Sequence, residues 1–141
     1  MTKVDFYFNV SDKLVKTAQL CEEKLTKGRQ LTVFTKNAEM DAAIQALLWQ
    51  HSATSFLPST SAEDVNSALA PIVLDYKGER LVQDDVLINL QEVYPPFFSR
   101  FRHLIELVGV DEIDKVAARK RFKFYRDRGY EIKSIDAANQ I

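Results

Sequence analysis

Apolar residues recur along the chain in two alternating patterns, one with a period of two and one with the spacing of a helix. Short apolar runs predict strands over 4–10, 31–35, 72–74, 86–90, 103–108 and 130–135. Residues at helical spacing predict two helices after the first two strands, capped by Ser11 and Asn37, and a third over 111–128. Gly28 and Gly129 lie where helix C-terminal caps are expected. The alternation predicts an α/β fold, a three-layer sandwich with a largely parallel, Rossmann-like mixed sheet.

Length and composition indicate one globular domain over residues 1–141, without internal repeats or linkers. Cys21 is the only cysteine, so no disulfide can form within the chain, and its place on an apolar helix face predicts a core residue. The charged N-terminus lacks the apolar run of a signal peptide, and the longest uncharged stretch, 42–62, contains too many polar residues to span a membrane. We therefore expect a cytoplasmic protein.

The glycine pattern disfavours a nucleotide cofactor. Phosphate-binding loops need clustered glycines so that backbone N–H groups can approach the anion. This chain has four glycines, all isolated, and each is explained as a cap, a turn or a strand end. We therefore expect no cofactor.

Residues suited to catalysis or metal binding are scattered. His51 and His103 belong to no metal-ligand spacing, and a structural role is favoured for both. Asp84 and Asp85 are adjacent in an extended segment and so point to opposite faces, which makes a shared metal difficult. We expect no metal site and no catalytic residue, although a metal-dependent hydrolase built on Asp75, Asp84 or Asp85 stays open as an alternative.

The segment 119–128 concentrates positive charge. It holds six basic residues and one acid, hence a formal charge of +5, in a chain whose net charge is −1. At helical spacing, Arg119, Lys123 and Arg126 share one strip with Phe122 at its border, whereas Arg121 points elsewhere and is expected to pair with an acid of the scaffold. The strip is either a solvated helix face or a binding site for an acidic peptide with an aromatic end or for single-stranded nucleic acid.

A second cluster is apolar and aromatic. Trp49, the only tryptophan, ends the second predicted helix, and Phe56 and Pro58 follow in a brief extended piece. The tryptophan either closes the edge of the core or anchors a protein partner.

Several blocks of the sequence resemble the chi subunit family of bacterial DNA polymerase III, accessory proteins of the clamp-loader assembly. These blocks are Phe6-Tyr7, Leu48-Trp49 with Ser55-Phe56-Leu57-Pro58, residues 85–90, and the basic segment 118–126 followed by Gly129-Tyr130. The resemblance covers nearly the whole chain, and its basic segment is the most specific block.

The resemblance implies a noncatalytic adaptor in DNA replication with two protein partners. One is the acidic C-terminal tail of single-stranded DNA-binding protein, which Arg119, Phe122, Lys123 and Arg126 would bind. The other is the psi subunit or an equivalent protein, at a surface formed by Trp49, Phe56 and Pro58. Single-stranded DNA would be met only indirectly. Direct binding of single-stranded nucleic acid by the same strip remains the main alternative.

Overall fold

Strands and helices alternate in the computed structural model, which describes residues 2–51, 59–61, 71–79, 81 and 83–139. The strands are β1 (Lys3–Val10), β2 (Leu31–Phe34), β3 (Ser59–Ser61), β4 (Ile72–Asp75), β5 (Val86–Asn89), β6 (His103–Gly109) and β7 (Ile132–Asp136). The helices are α1 (Lys13–Thr26), α2 (Ala38–His51) and α3 (Glu112–Asp127), with short 3₁₀ turns at Phe98–Arg100 and Ala137–Asn139. The prediction of an α/β fold is confirmed. That of one domain over 1–141 stays a prediction.

The seven strands form one sheet in the order β3-β4-β2-β5-β6-β1-β7. Every pairing between described strands is parallel, so no antiparallel strand gives this sheet a mixed character. Strands β2, β4 and β5 are buried along their whole length. Parallel strands covered by helices on both faces need such continuous apolar runs, which explains why the sequence pattern predicts them well.

Helices cover both faces of the sheet and produce three layers. Residues of α1 and α2, including Leu20, Cys21 and Leu48, pack against one face, and α3 packs against the other through Ala118 and Tyr125. The prediction that Cys21 lies in the core is confirmed. Burial raises the pKa of its thiol to about 12, so the group is protonated and unreactive at neutral pH.

The helix caps agree with the predictions at all but one position. The Asn37 side chain accepts a hydrogen bond from the Met40 N–H at 2.8 Å, and Gly28 and Gly129 have positive φ angles of 74° and 85° just after α1 and α3. The prediction that Ser11 caps α1 is wrong. Asp12 is the cap, and its carboxylate accepts hydrogen bonds from two backbone N–H groups of the first turn. A carboxylate at this end also interacts favourably with the helix dipole, an advantage that a serine hydroxyl lacks.

Candidate functional site

A buried polar network fixes the rotation of α3 on the sheet. Glu106 of β6 is fully buried, and its carboxylate accepts hydrogen bonds from Arg121 Nε at 3.0 Å, Tyr125 Oη at 2.6 Å and Asn89 Nδ2 at 3.0 Å. Burial raises the pKa of the Glu106 carboxyl, while the charge of Arg121 and the three donors oppose that effect. Arg121 also donates to the Glu92 carbonyl at 2.8 Å. The prediction that Arg121 pairs with a scaffold acid is confirmed.

The first turn of α3 is also held by side chains. Asp114 accepts a hydrogen bond from the Gly109 N–H at 2.6 Å and pairs with Lys13 at 3.1 Å, which ties α3 to the end of β6 and to α1. Burial disfavours the charged form of Asp114, but these two donors outweigh burial and lower the pKa of its carboxyl. Asp111 caps the helix by accepting from the Asp114 N–H at 3.3 Å. These acids stabilise the helix N-terminus.

With α3 fixed in this way, the predicted strip faces outward. Arg119, Lys123 and Arg126 are exposed, and the Phe122 ring is half-buried with its edge against Phe6 at a centroid distance of 5.3 Å. Arg119 lies 3.5 Å from Glu112, and Arg126 lies 3.7 Å from Asp127, both as exposed pairs. Lys123 has no ion pair within the described residues. Exposed ion pairs contribute little stability, so these cations remain available to a ligand.

A shallow cavity of about 390 Å³ opens between α3 and the C-terminal halves of β1 and β6. Phe6, Phe8, Val108 and Ala118 line it on the apolar side, and Arg119, Phe122 and Lys115 line it from α3. We call this the tail cavity. The structure therefore brings Arg119 and Phe122 together at one cavity, whereas Lys123 and Arg126 are not among its lining residues and lie on the exposed side of the helix.

Sequence reasoning missed the β-strand part of this cavity and one of its cations. Lys115 precedes Arg119 by four positions, and this helical spacing is the signal that could have found it. The alternation of β1 places Phe6 and Phe8 on one face, but it cannot tell which helix covers that face. The aromatic floor of the tail cavity follows only from the sheet order, in which β1 lies between β6 and β7.

The aromatic cluster around Trp49 is described only in part. Trp49 lies near the end of α2 with 62% of its surface exposed. Phe56 and Pro58 lie outside the described residues. The indole of Trp49 therefore lies largely on the surface of the protein.

Asp85 and His103 have structural partners. Asp85 accepts hydrogen bonds from Arg29 Nε at 3.0 and 2.9 Å and from the Gln30 N–H, and the hydrogen bond from Arg29 lowers the pKa of Asp85. His103 Nε2 lies 2.8 Å from Asp5. Among the described residues there is no group of three or more His, Cys, Asp or Glu side chains that could hold a metal ion. No helix within the described ranges is long and apolar enough to cross a membrane.

Comparison with known proteins identifies the family. The family model described as DNA polymerase III chi subunit, HolC, matches residues 1–133. The chain belongs to this family. The DNA polymerase III subunit chi of Pseudomonas aeruginosa is 31% identical over 136 residues, which cover 94% of each chain. The corresponding subunit of Haemophilus influenzae is 29% identical over 74% of each chain, and that of Escherichia coli is 24% identical over 81% of this chain and 78% of its own.

Membership of the chi family places this protein among the accessory subunits of DNA polymerase III, and hence in DNA replication. Its partner is accordingly a DNA polymerase III complex. The resemblance stated from the basic segment and the Trp49 block is confirmed at the level of the family.

Proposed function

We propose that this chi family member is a noncatalytic adaptor that binds the acidic C-terminal tail of single-stranded DNA-binding protein in the tail cavity. The observation that carries the proposal is the pairing of an apolar aromatic floor with cations at its rim. Phe6 and Phe122, which contact each other, provide apolar lining for an apolar side chain, and Lys115 and Arg119 lie on the helix side of the same cavity. A peptide that ends in an aromatic residue with a free carboxylate matches both features.

The electrostatics favour an acidic ligand. Six of the ten residues 119–128 are basic. Among them, Arg121 is the one that forms a buried ion pair in the described structure, with Glu106. The remaining cations are exposed, so they attract carboxylates through solvent and the attraction weakens as salt screens it. In this proposal Lys123 and Arg126 bind the acidic residues that precede the terminal aromatic residue.

Titration with a fluorescent peptide that ends in Asp-Phe-Pro-Phe tests the site. We expect Arg119→Ala to weaken binding about tenfold, which corresponds to the loss of one charge-assisted contact of about 1.4 kcal/mol. Lys123→Ala combined with Arg126→Ala should also weaken binding and reduce its salt dependence. The matched control is Lys3→Ala, an exposed lysine at the opposite end of β1, which should leave affinity unchanged. Binding that survives the Lys123 and Arg126 substitutions would refute the proposed role of these residues.

The same assay separates the adaptor from a direct nucleic-acid binder. A single-stranded oligonucleotide that binds without the peptide, and with a steep salt dependence lost in Arg119→Ala, would favour the second function. We expect the peptide to bind and the oligonucleotide alone to bind weakly, because the chain carries a net charge of −1 and the residues outside its basic segment carry −6.

The second partner in the proposal is the psi subunit or an equivalent protein, which would contact Trp49, Phe56 and Pro58. Its support is the exposed indole at the end of α2. Capture of purified psi by the tagged protein should be lost in Trp49→Ala and retained in the neighbouring control Gln50→Ala. Such an adaptor works where DNA is replicated, which is the cytoplasmic location that the sequence suggests.

A further inference from the structure

A second groove lies on α3, on the side opposite the tail cavity. It has a volume of about 500 Å³ and lies between α3 and the segment 92–94. Its apolar side chains are unusually exposed for their size: Ile113 by 83%, Val93 by 64%, Val116 by 43% and Tyr94 by 36%. We call it the Ile113 groove. Clustered exposed apolar side chains of this kind mark interaction surfaces rather than ordinary solvent-facing positions.

The walls of the Ile113 groove are held in place by contacts. The Tyr94 ring stacks on the Phe124 ring at a centroid distance of 3.6 Å. The Arg128 guanidinium also lies over the Phe124 ring, 4.3 Å from its centroid. The hydrogen bond from Arg121 to the Glu92 carbonyl fixes the backbone just before Val93. A groove formed in this way binds a ligand without first paying the entropy of ordering its own walls.

Cations occupy the helix surface between the two apolar sites. The two sites lie on opposite sides of α3, because each residue of a helix is rotated by about 100° about the helix axis. The mean direction of the tail-cavity residues differs by about 180° from that of the groove residues. The tail-cavity residues are Lys115, Arg119 and Phe122, and the groove residues are Ile113, Ala117 and Phe124. A path around the solvent-exposed side of α3, from the tail cavity to the Ile113 groove, passes Arg119, then Lys123 and then Lys120. All three side chains are exposed. The acids of α3 lie at its two ends, so this crossing is positively charged. The complementary ligand is apolar at two points and acidic between them.

We propose that the Ile113 groove holds an upstream apolar side chain of the same acidic tail whose end occupies the tail cavity. This inference rests on the function proposed above. The acidic residues of the tail cross the helix over Arg119, Lys123 and Lys120. Half the circumference of a helix about 11 Å across is about 17 Å, which an extended peptide covers with about five residues. The two apolar residues of the tail are therefore about five positions apart.

Three synthetic peptides test this inference by fluorescence anisotropy. The first is a short acidic peptide with one Phe at its C-terminus. The second extends the first at its N-terminal side with Asp-rich residues so that a further Phe lies about five positions before the terminal Phe. The third is identical to the second but has Ser in place of the upstream Phe. Joining two weak contacts on one chain raises affinity through effective concentration, so we expect the second peptide to bind about tenfold more tightly than the third.

The variant pair separates the two sites. Ile113→Ser with Val116→Ser should remove the advantage of the second peptide and leave the short peptide unchanged. Both side chains are exposed, and a thermal unfolding curve confirms that the fold is retained. Equal binding of the second and third peptides, or an advantage that persists in this variant, overturns the inference while the tail cavity stands. Failure of every peptide to bind overturns the proposed function as well. A dimer in light scattering that dissociates in the variant shows instead that a second copy covers the groove.

Discussion

Replacing Arg121 with Met should cause a large loss of stability. Arg121 is 2% exposed, and its substitution leaves the fully buried Glu106 carboxylate without its cation. Breaking a buried ion pair in this way costs about 3–5 kcal/mol, against a total of about 5–15 kcal/mol for a domain. Unfolding entropy of about 2.1 cal/mol/K per residue over 141 residues gives about 0.3 kcal/mol/K, so Tm should fall by about 10–17 °C.

The pH dependence of this loss identifies its cause. Without Arg121 the folded-state pKa of Glu106 rises further above its unfolded value of about 4.3, because burial is no longer opposed by a positive charge. A raised carboxyl pKa gives stability that is fully present below the unfolded pKa and declines as pH rises towards the folded pKa. Arg121→Met should therefore be less destabilised at pH 5 than at pH 7.5, relative to the original protein, in denaturant titrations.

A second substitution supplies the control. Glu106→Gln in the Arg121→Met background removes the unpaired charge, and the amide oxygen still accepts from Tyr125. We expect this double variant to recover most of the lost stability and to lose the added pH dependence. A loss below about 1 kcal/mol in Arg121→Met, or no recovery in the double variant, would contradict the assignment of this network as the anchor of α3.

Three further predictions concern local features. Asp12→Ala should cost about 1 kcal/mol in unfolding free energy through loss of the α1 cap, and Ser11→Ala should cost far less in the same chemical denaturation series. Asp85→Asn should lower Tm at pH 7, but this difference in Tm should shrink as pH falls below about 4. The hydrogen bond from Arg29 lowers the pKa of Asp85 in the folded protein. The stability that this hydrogen bond contributes is therefore present above the unfolded-state pKa of Asp85 and is lost as pH falls through its folded-state pKa. Gly129→Ala should destabilise by about 1 kcal/mol because its positive φ strains any side chain, although open space surrounds it; an unchanged Tm would show that the backbone relaxes there.

Local patterns predict the elements well and their assembly poorly. Strand β5 and helix α3 follow from short-range signals that survive in the fold, because continuous burial and helical periodicity act within one element. The Glu106 network cannot be predicted from such short-range signals. A lone acid inside the apolar run of β6 predicts a buried partner, but only the packing of α3 on the sheet reveals that Arg121 is that partner.

The candidate site also combines residues that local patterns predict with residues that only the packing of the chain brings together. The strip on α3 could be predicted from spacing alone, whereas Phe6 and Phe8 join it through contacts between distant parts of the chain. Ser11 and Asp12 are equally good caps by residue type, and the backbone geometry at the start of α1 decides between them. The exposure of Ile113 and Val116 has no sequence signal, because apolar residues at helical spacing are normally assigned to the core.

The position of β1 between β6 and β7 has a consequence for biosynthesis. Lys3 pairs with His103 and Val4 pairs with Ile132, so the first strand has partners more than about 95 positions away on both sides. Closing loops of this length is slow, and β1 can form its two ladders only after β6 and then β7 have been synthesised. The tail cavity contains residues from β1, α3 and β7. A nascent chain therefore lacks the complete lining of this cavity until β7 has emerged from the ribosome.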